Sequence, residues 1–156
     1  MAIDKVKEYF KKFNIEDRIQ EFEVSSATVL EAANALNCDP AHIAKTMAFK
    51  TEQPILIVTA GDMKIDNGKY KAKFKCKAHM LSPEELDESI GHNVGGVCPF
   101  GIKDNVSVYL DISLKRFQTV YPACGSDNSA IGLTTKELEK YSNYVEWIDV
   151  CKEKSY

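Results

Sequence analysis

The sequence predicts an α+β fold, a mixed β-barrel-like sheet with flanking helices. Two observations predict it. Helix-start signals and strand-like runs are mixed along the chain without the regular strand–helix–strand beat of a doubly wound parallel sheet. The strand-like runs are also of two kinds, one continuously apolar and several alternating. The 156 residues, 44% hydrophobic and 28% charged, contain no tandem repeat, low-complexity tract or Pro/Ser-rich linker. They are expected to form one domain over 1–156 with a core of its own.

The elements follow in order. Ile3, Val6, Phe10 and Phe13 recur at helical spacing and predict a packed amphipathic helix, neither a signal peptide nor a membrane span. Thr28-Val29-Leu30-Glu31 reads as a capping box, Ser82-Pro83-Glu84-Glu85 repeats it with proline at the first helical position, and Thr134 to Glu137 does so again. Asp39-Pro40 caps a short turn before Lys45, which opens a strand over Thr46 to Phe49. Ile55-Leu56-Ile57-Val58 is continuously apolar and predicts a buried strand. Val106, Val108 and Leu110 alternate, as do Phe117, Thr119 and Tyr121. Tyr144 to Val150 reads as the last strand, anchored by Trp147.

The net charge of −3 excludes a broad basic surface for gripping a long nucleic acid, but leaves room for binding one end of it. Five irregularly spaced cysteines (Cys38, Cys76, Cys98, Cys124 and Cys151) with no export signal predict reduced thiols in the cytoplasm.

The segment from Gly91 to Gly101 holds four of the eight glycines. The pair Gly95-Gly96 lets backbone approach a ligand closely, and Pro99 disfavours helix at Cys98. Such a turn either connects a helix tightly to a strand or presents amides to a carbonyl oxygen that turns negative during acyl transfer. Its spacing is not that of a dinucleotide fingerprint. Lys45, at a helix–strand junction, can hold a phosphate or ribose as a point charge.

Together these segments resemble the YbaK-type family, also called the prolyl-tRNA synthetase-associated or editing domain. Ala44-Lys45-Thr46-Met47 looks like its lysine–threonine strand start. Gly95-Gly96-Val97-Cys98-Pro99 fits its G-x-x-x-P loop. Tyr109-Leu110-Asp111 resembles its strand-ending aspartate, Ala123-Cys124-Gly125-Ser126 its later glycine turn, and Thr134 to Leu138 its final helix start.

The resemblance implies a free-standing cytoplasmic hydrolase. It would remove a small amino acid (alanine, cysteine or serine) from mischarged tRNA, tRNA for proline above all. It implies no metal or organic cofactor and no membrane, transient contact with prolyl-tRNA synthetase, and a monomer or weak homodimer. By the same resemblance Lys45 holds the terminal adenosine, and Gly95 and Gly96 act on the aminoacyl carbonyl. Phe22, Thr46, Val97, Cys98, Pro99, Gly125, Ser126 and Ala130 would contact substrate. The branch that removes cysteine would carry a tyrosine at Phe22 and an acid at Ala130, so the pocket here is less polar.

Three other readings stand beside this one. Cys76-x-x-His79 and His92-x5-Cys98 supply zinc-type ligands, without the usual paired spacing. Cys98 or Cys124 with His92 as base would make a cysteine hydrolase. Lys69, Lys71, Lys73, Lys75 and Lys77 would share one face of a strand and suit a non-catalytic tRNA- or nucleotide-binding module. Asp66 as an N-cap argues instead for a helix through Phe74 that spreads them around its surface.

Overall fold

The computed structural model describes residues 2–154. In chain order they form α1 (Ala2–Lys11), β1 (Gln20–Glu21), α2 (Val29–Leu36), β2 (Ile43–Phe49), β3 (Ile55–Ala60), β4 (Met63–Ile65), α3 (Asn67–Phe74), α4 (Pro83–Ser89), β5 (Ser107–Asp111), β6 (Thr119–Pro122), β7 (Ser129–Ala130), β8 (Leu133–Thr134), α5 (Thr135–Ser142), β9 (Glu146–Ile148) and β10 (Cys151–Glu153). The main sheet has the order β8-β6-β2-β3-β5-β9. It is mixed: β2 is antiparallel to β3 and parallel to β6, while β3, β5 and β9 run parallel. The sheet curls as a half-barrel, the α+β architecture the sequence predicts. Two short ribbons, β1–β7 and β4–β10, lie beside it.

The apolar run of β3 places it at the centre. All six of its residues are buried. Leu56, Val58 and Ala60 face one core with α1, α4 and α5, whereas Ile55 and Ile57 face a second core with Tyr70 of α3 and Val150. A strand covered on both faces has no polar side to show, so alternation disappears. At β5 the same sheet alternates, with Val108 and Leu110 in the first core and Tyr109 against the second.

The four predicted caps all form. Thr28, Ser82 and Thr134 each accept the amide three residues on, and Glu31, Glu85 and Glu137 reach back to close reciprocal boxes. Asp39 accepts the Ala41 amide and starts a 3-10 turn at Pro40–His42. α1 buries Ile3, Val6 and Phe10, while Phe13 lies just beyond the helix and packs on the core from there.

Three expectations need correction. The strand containing Lys45 begins two residues earlier, at Ile43, because Ile43 and Ala44 pair with Tyr121 and Pro122 of β6. In β6 the buried residues are Val120 and Pro122, and Phe117 instead closes the preceding 3-10 turn through its amide to Leu114. The segment ending at Val150 is not the last strand. The Val150 amide turns aside to the buried carboxylate of Asp111 at 3.0 Å, and β10 then pairs with β4. Trp147 is only partly buried, held by its indole N–H to Glu139 at 2.7 Å.

Asp111 therefore acts as a structural anchor. Its other oxygen caps the Ile112–Arg116 turn through the Ser113 amide at 3.0 Å. A second anchor is Arg18, which grips Glu137 with two N–H groups at 2.7 and 3.0 Å and the Gly132 carbonyl with the second of these. This pairing, with the Thr134 cap, holds the Glu137 carboxyl down at about 2. The depressed value means that its contribution to stability is present above the ordinary carboxylate range and fades as pH falls from about 4.5 toward 2. Acid titration of Glu137→Gln should show a smaller stability loss over that window than the parent protein, read from denaturant midpoints. Identical pH profiles would refute the assignment.

Candidate functional site

A cleft of about 700 Å³ opens between four segments, a size typical of small-molecule sites. Its floor is β2 from Lys45 to Ala48. One wall is Ser26 to Leu30, leading into the first turn of α2. The facing wall is Met80 to Leu86 at the start of α4. The glycine loop closes it with Val94, Gly95 and Val97, and Lys154 stands at its edge. Leu30, Met80 and Val94 form an apolar lip, each more than 60% exposed.

Two cations face this space. Lys45 makes no ion pair among the described residues, and its ammonium is held below the usual lysine value, first by burial and then by the charge of Lys154. Lys154 is fixed from behind, its ammonium donating to the Gly61 carbonyl at 2.9 Å and its amide to Asp62. Asp62, already paired with Arg116, is the carboxylate that acts on Lys154, and two ammonium groups at one cleft favour an anionic ligand. Ser26 and Thr46 add hydroxyls that are buried and unpartnered, and both residues line the cleft. An unpaired buried hydroxyl costs about 1–3 kcal/mol unless a ligand completes it.

The glycine loop divides into two parts. Gly95 takes φ +89°, a left-handed conformation that favours glycine, and presses against Ala27 and Asp127. The amides of Gly95 and Val97 donate to no group among the described residues. Gly96 behaves differently. Its amide donates to Asn93 and its carbonyl accepts from Gly125, both at 3.0 Å. Gly96 is buried and does not line the cleft, so its part is to position Gly95 and Val97.

The other predicted residues divide in the same way. Thr46 and Val97 join Lys45 at the cleft, whereas Phe22, Cys98, Pro99, Gly125, Ser126 and Ala130 are not among its lining residues. Gly125 and Ser126 form the turn on which Gly96 rests. The Ser126 hydroxyl is taken up by Asn128 at 2.9 Å and Ser129 at 2.6 Å. Ala130 pairs with Gln20 in the β1–β7 ribbon, and Phe22, just beyond β1, donates its amide to the Asn128 carbonyl. Sequence reasoning missed Lys154 and Ser26. Neither carries a local signal: β10 delivers Lys154 by pairing with β4, and Ser26 is placed by its amide bond to Asp127.

His92 and Cys98 do come together, with Sγ 3.5 Å from Nε2. They do not make a nucleophile–base pair. His92 Nε2 also lies 2.9 Å from the Phe100 carbonyl, an acceptor, so this nitrogen carries the proton and cannot take one from the thiol. Both residues are fully buried, and burial pushes the Cys98 thiol up to about 12. Cys124 is likewise buried and shifted upward. Cys98→Ala and Cys124→Ala should each keep the parent rate of any hydrolysis in this cleft, checked by single-turnover kinetics. Loss of turnover in a folded variant would restore the cysteine reading. Among the described residues no three His, Cys, Asp or Glu side chains gather in a metal-binding group. The lysines of α3 spread around the helix as Asp66 predicts. Lys69 pairs with Asp149 and Lys73 with Glu146. No helix among the described residues is long and apolar enough to cross a membrane.

Comparison with known proteins bears on this cleft. The family model described as aminoacyl-tRNA editing domain matches residues 23–141, which include β2 and the whole glycine loop. The uncharacterized protein YwhH of Bacillus subtilis (strain 168) is 54% identical over 98% of this chain and 99% of its own length. Proline--tRNA ligase of Limosilactobacillus reuteri (strain DSM 20016) is 25% identical over 72% of this chain, a stretch that is 20% of the ligase. A crystal structure of a candidate trans-editing enzyme for prolyl tRNA synthetase superposes with a TM-score of 0.86 at 24% identity, covering 99% of this chain and 98% of the other, which shows a shared fold.

Proposed function

The chain belongs to the aminoacyl-tRNA editing domain family, and from that premise we propose that it is a cytoplasmic hydrolase that clears a small amino acid, alanine, cysteine or serine, from tRNA for proline. One observation carries the reading: a lysine without a counter-ion shares a cleft with two unengaged loop amides. The lysine suits the terminal phosphate or ribose. The Gly95 and Val97 amides suit the ester carbonyl, whose oxygen becomes negative when water attacks.

The chemistry needs no protein nucleophile. Water adds to the ester carbonyl carbon, and the neighbouring ribose hydroxyl of the substrate takes its proton while passing its own on to the ester's ribose oxygen as that oxygen leaves. The oxyanion is held by loop amides. The intermediate collapses with cleavage of the carbon–oxygen bond, the ribose oxygen takes a proton, and free amino acid leaves. Buried Ala32, Ile43, Met47 and Leu86 give the cleft an apolar interior that suits a small side chain. Discrimination by size alone is worth about 1–3 kcal/mol per methylene, which implies a permissive substrate range. The likeness in fold to a candidate trans-editing enzyme for prolyl tRNA synthetase supports action in trans, with at most transient contact to that synthetase.

The test is a deacylation panel with alanine, serine, cysteine and threonine each charged on tRNA for proline. Hydrolysis of at least one small amino acid, faster than the uncatalysed ester, is the expected result. No hydrolysis of any of them would sink the proposal. The alternative of a binding module predicts tight association with aminoacyl-tRNA and no turnover.

A further inference from the structure

A second, larger groove of about 1330 Å³ lies on the other side of the glycine loop, between α1, the segment from Pro99 to Val108 and the end of α5. Its lining carries five exposed lysines, Lys5, Lys11, Lys12, Lys103 and Lys140, against three carboxylates. This is a local positive excess in a chain whose net charge is −3. Two of the five are engaged: Lys11 pairs with Glu8 at 3.5 Å, and Lys103 donates to the Glu88 carbonyl. Lys12 and Lys140 instead sit over the rings of Tyr9 and Tyr141, 5.8 and 5.4 Å from their centroids, contacts that leave ammonium protons available.

A second observation points to a ligand in the same place. Ser142 lines the groove, is 1% exposed, and its hydroxyl has no hydrogen-bond partner. A buried hydroxyl beside several ammonium groups, all of them donors, matches phosphate oxygens, which only accept. The α3 lysines, by contrast, are partly neutralised by Asp149 and Glu146.

The two clefts share one wall. Val94 and Gly95 line the first, and Pro99 and Gly101 line the second. At the start of the loop, a Cβ on Gly91 would lie 3.5 Å from the Lys5 ammonium. Three residues lie between Gly91 and Gly95, so the two glycines are bridged by at most roughly 14 Å of loop. The tip of that loop, at Asn93 and Val94, is exposed.

We propose that this groove is the docking surface for the sugar–phosphate backbone of the acceptor strand whose aminoacylated end enters the first cleft. The inference rests on the proposed editing reaction for its choice of occupant. Phosphate contacts of this kind position the strand without reading its bases, and they make binding fall with salt.

The test is the triple charge reversal Lys5→Glu/Lys12→Glu/Lys140→Glu, compared with the parent on two substrates: full-length alanyl-tRNA for proline and the minimal ester 3′-alanyl-adenosine. On the full-length substrate KM should rise at least about tenfold, and the dependence of log(kcat/KM) on log salt should flatten by about one per lysine removed. The loss should be confined to the substrate that carries the strand. Unchanged kcat/KM on alanyl-tRNA, or an equal loss on both substrates, would overturn the groove assignment while leaving the editing reaction standing. Were the parent protein to hydrolyse neither of these nor any other member of the deacylation panel, the editing reading fails, and the groove is still judged by fluorescence anisotropy with uncharged tRNA. Binding that the reversal weakens at least about tenfold supports it. No binding, or binding the reversal does not change, refutes it.

Discussion

Lys45→Ala should lower kcat/KM for the susceptible aminoacyl-tRNA by roughly 10- to 150-fold while leaving the fold intact. The magnitude follows from the loss of one hydrogen bond to a charged group, about 1.5–3 kcal/mol, at about 1.4 kcal/mol per decade. The fold is spared because Lys45 makes no ion pair among the described residues and its one charged neighbour, Lys154, repels it. Removing the ammonium relieves that repulsion, so the melting temperature should hold or rise. Lys45→Met, which keeps an apolar stem of similar reach, should lose as much activity as alanine. Parent-like turnover in either variant would remove Lys45 from the mechanism, and loss of activity with loss of fold would show a structural role.

Gly96→Ala carries the larger effect. A Cβ at this position would lie 2.6 Å from the Ser126 nitrogen and 2.7 Å from the Gly125 carbonyl carbon. Both obstacles are backbone, so no rotamer change relieves the clash. Nor can the turn withdraw: Gly125 holds φ +91° and is itself packed against the backbone of Ala2 and Ile3 at the start of α1. The glycine loop must move instead, giving up the bond from the Gly125 amide to the Gly96 carbonyl. Gly95 and Val97 move with it. Turnover should fall roughly 100- to 1,000-fold, the usual consequence of losing an oxyanion donor. Overpacking of this kind costs about 1–3 kcal/mol, and in a chain of this length each kcal/mol lowers the melting temperature by roughly 2–4 °C. Single-turnover deacylation and a thermal melt on one preparation check both. A variant with the parent's rate and the parent's melt would show that the loop is not held by this contact.

Both residues were marked in the sequence, but they were legible for different reasons. Lys45 stood out by its place at a strand start, and it lines the cleft. Gly96 stood out as half of a glycine pair, and the same reading gave it the same task as Gly95. The structure separates the two: Gly95 is on the cleft, and Gly96 is behind it with both backbone groups engaged. A glycine pair says that backbone comes close to something, without saying whether that is ligand or protein. Gly125 and Ser126 lie behind Gly96 and outside the cleft lining, and a glycine turn that packs against another turn has the same local sequence as one that meets substrate.

What the sequence determined by itself was local. The capping boxes at Thr28, Ser82 and Thr134 close within four residues, and the buried run from Ile55 depends only on which side chains avoid water. These interactions reach no farther than one turn or one strand, so their residues are adjacent in the chain. What only the tertiary structure decided was long-range. The β4–β10 ribbon brings Lys154 to Lys45, and the Ser26–Asp127 bond sets a hydroxyl into the cleft wall. The packing of His92 against Phe100 takes the proton position that a catalytic base would need. The physical reason is that burial, charge repulsion and the satisfaction of a buried polar atom depend on every group nearby in space, and most of those groups are far apart in sequence.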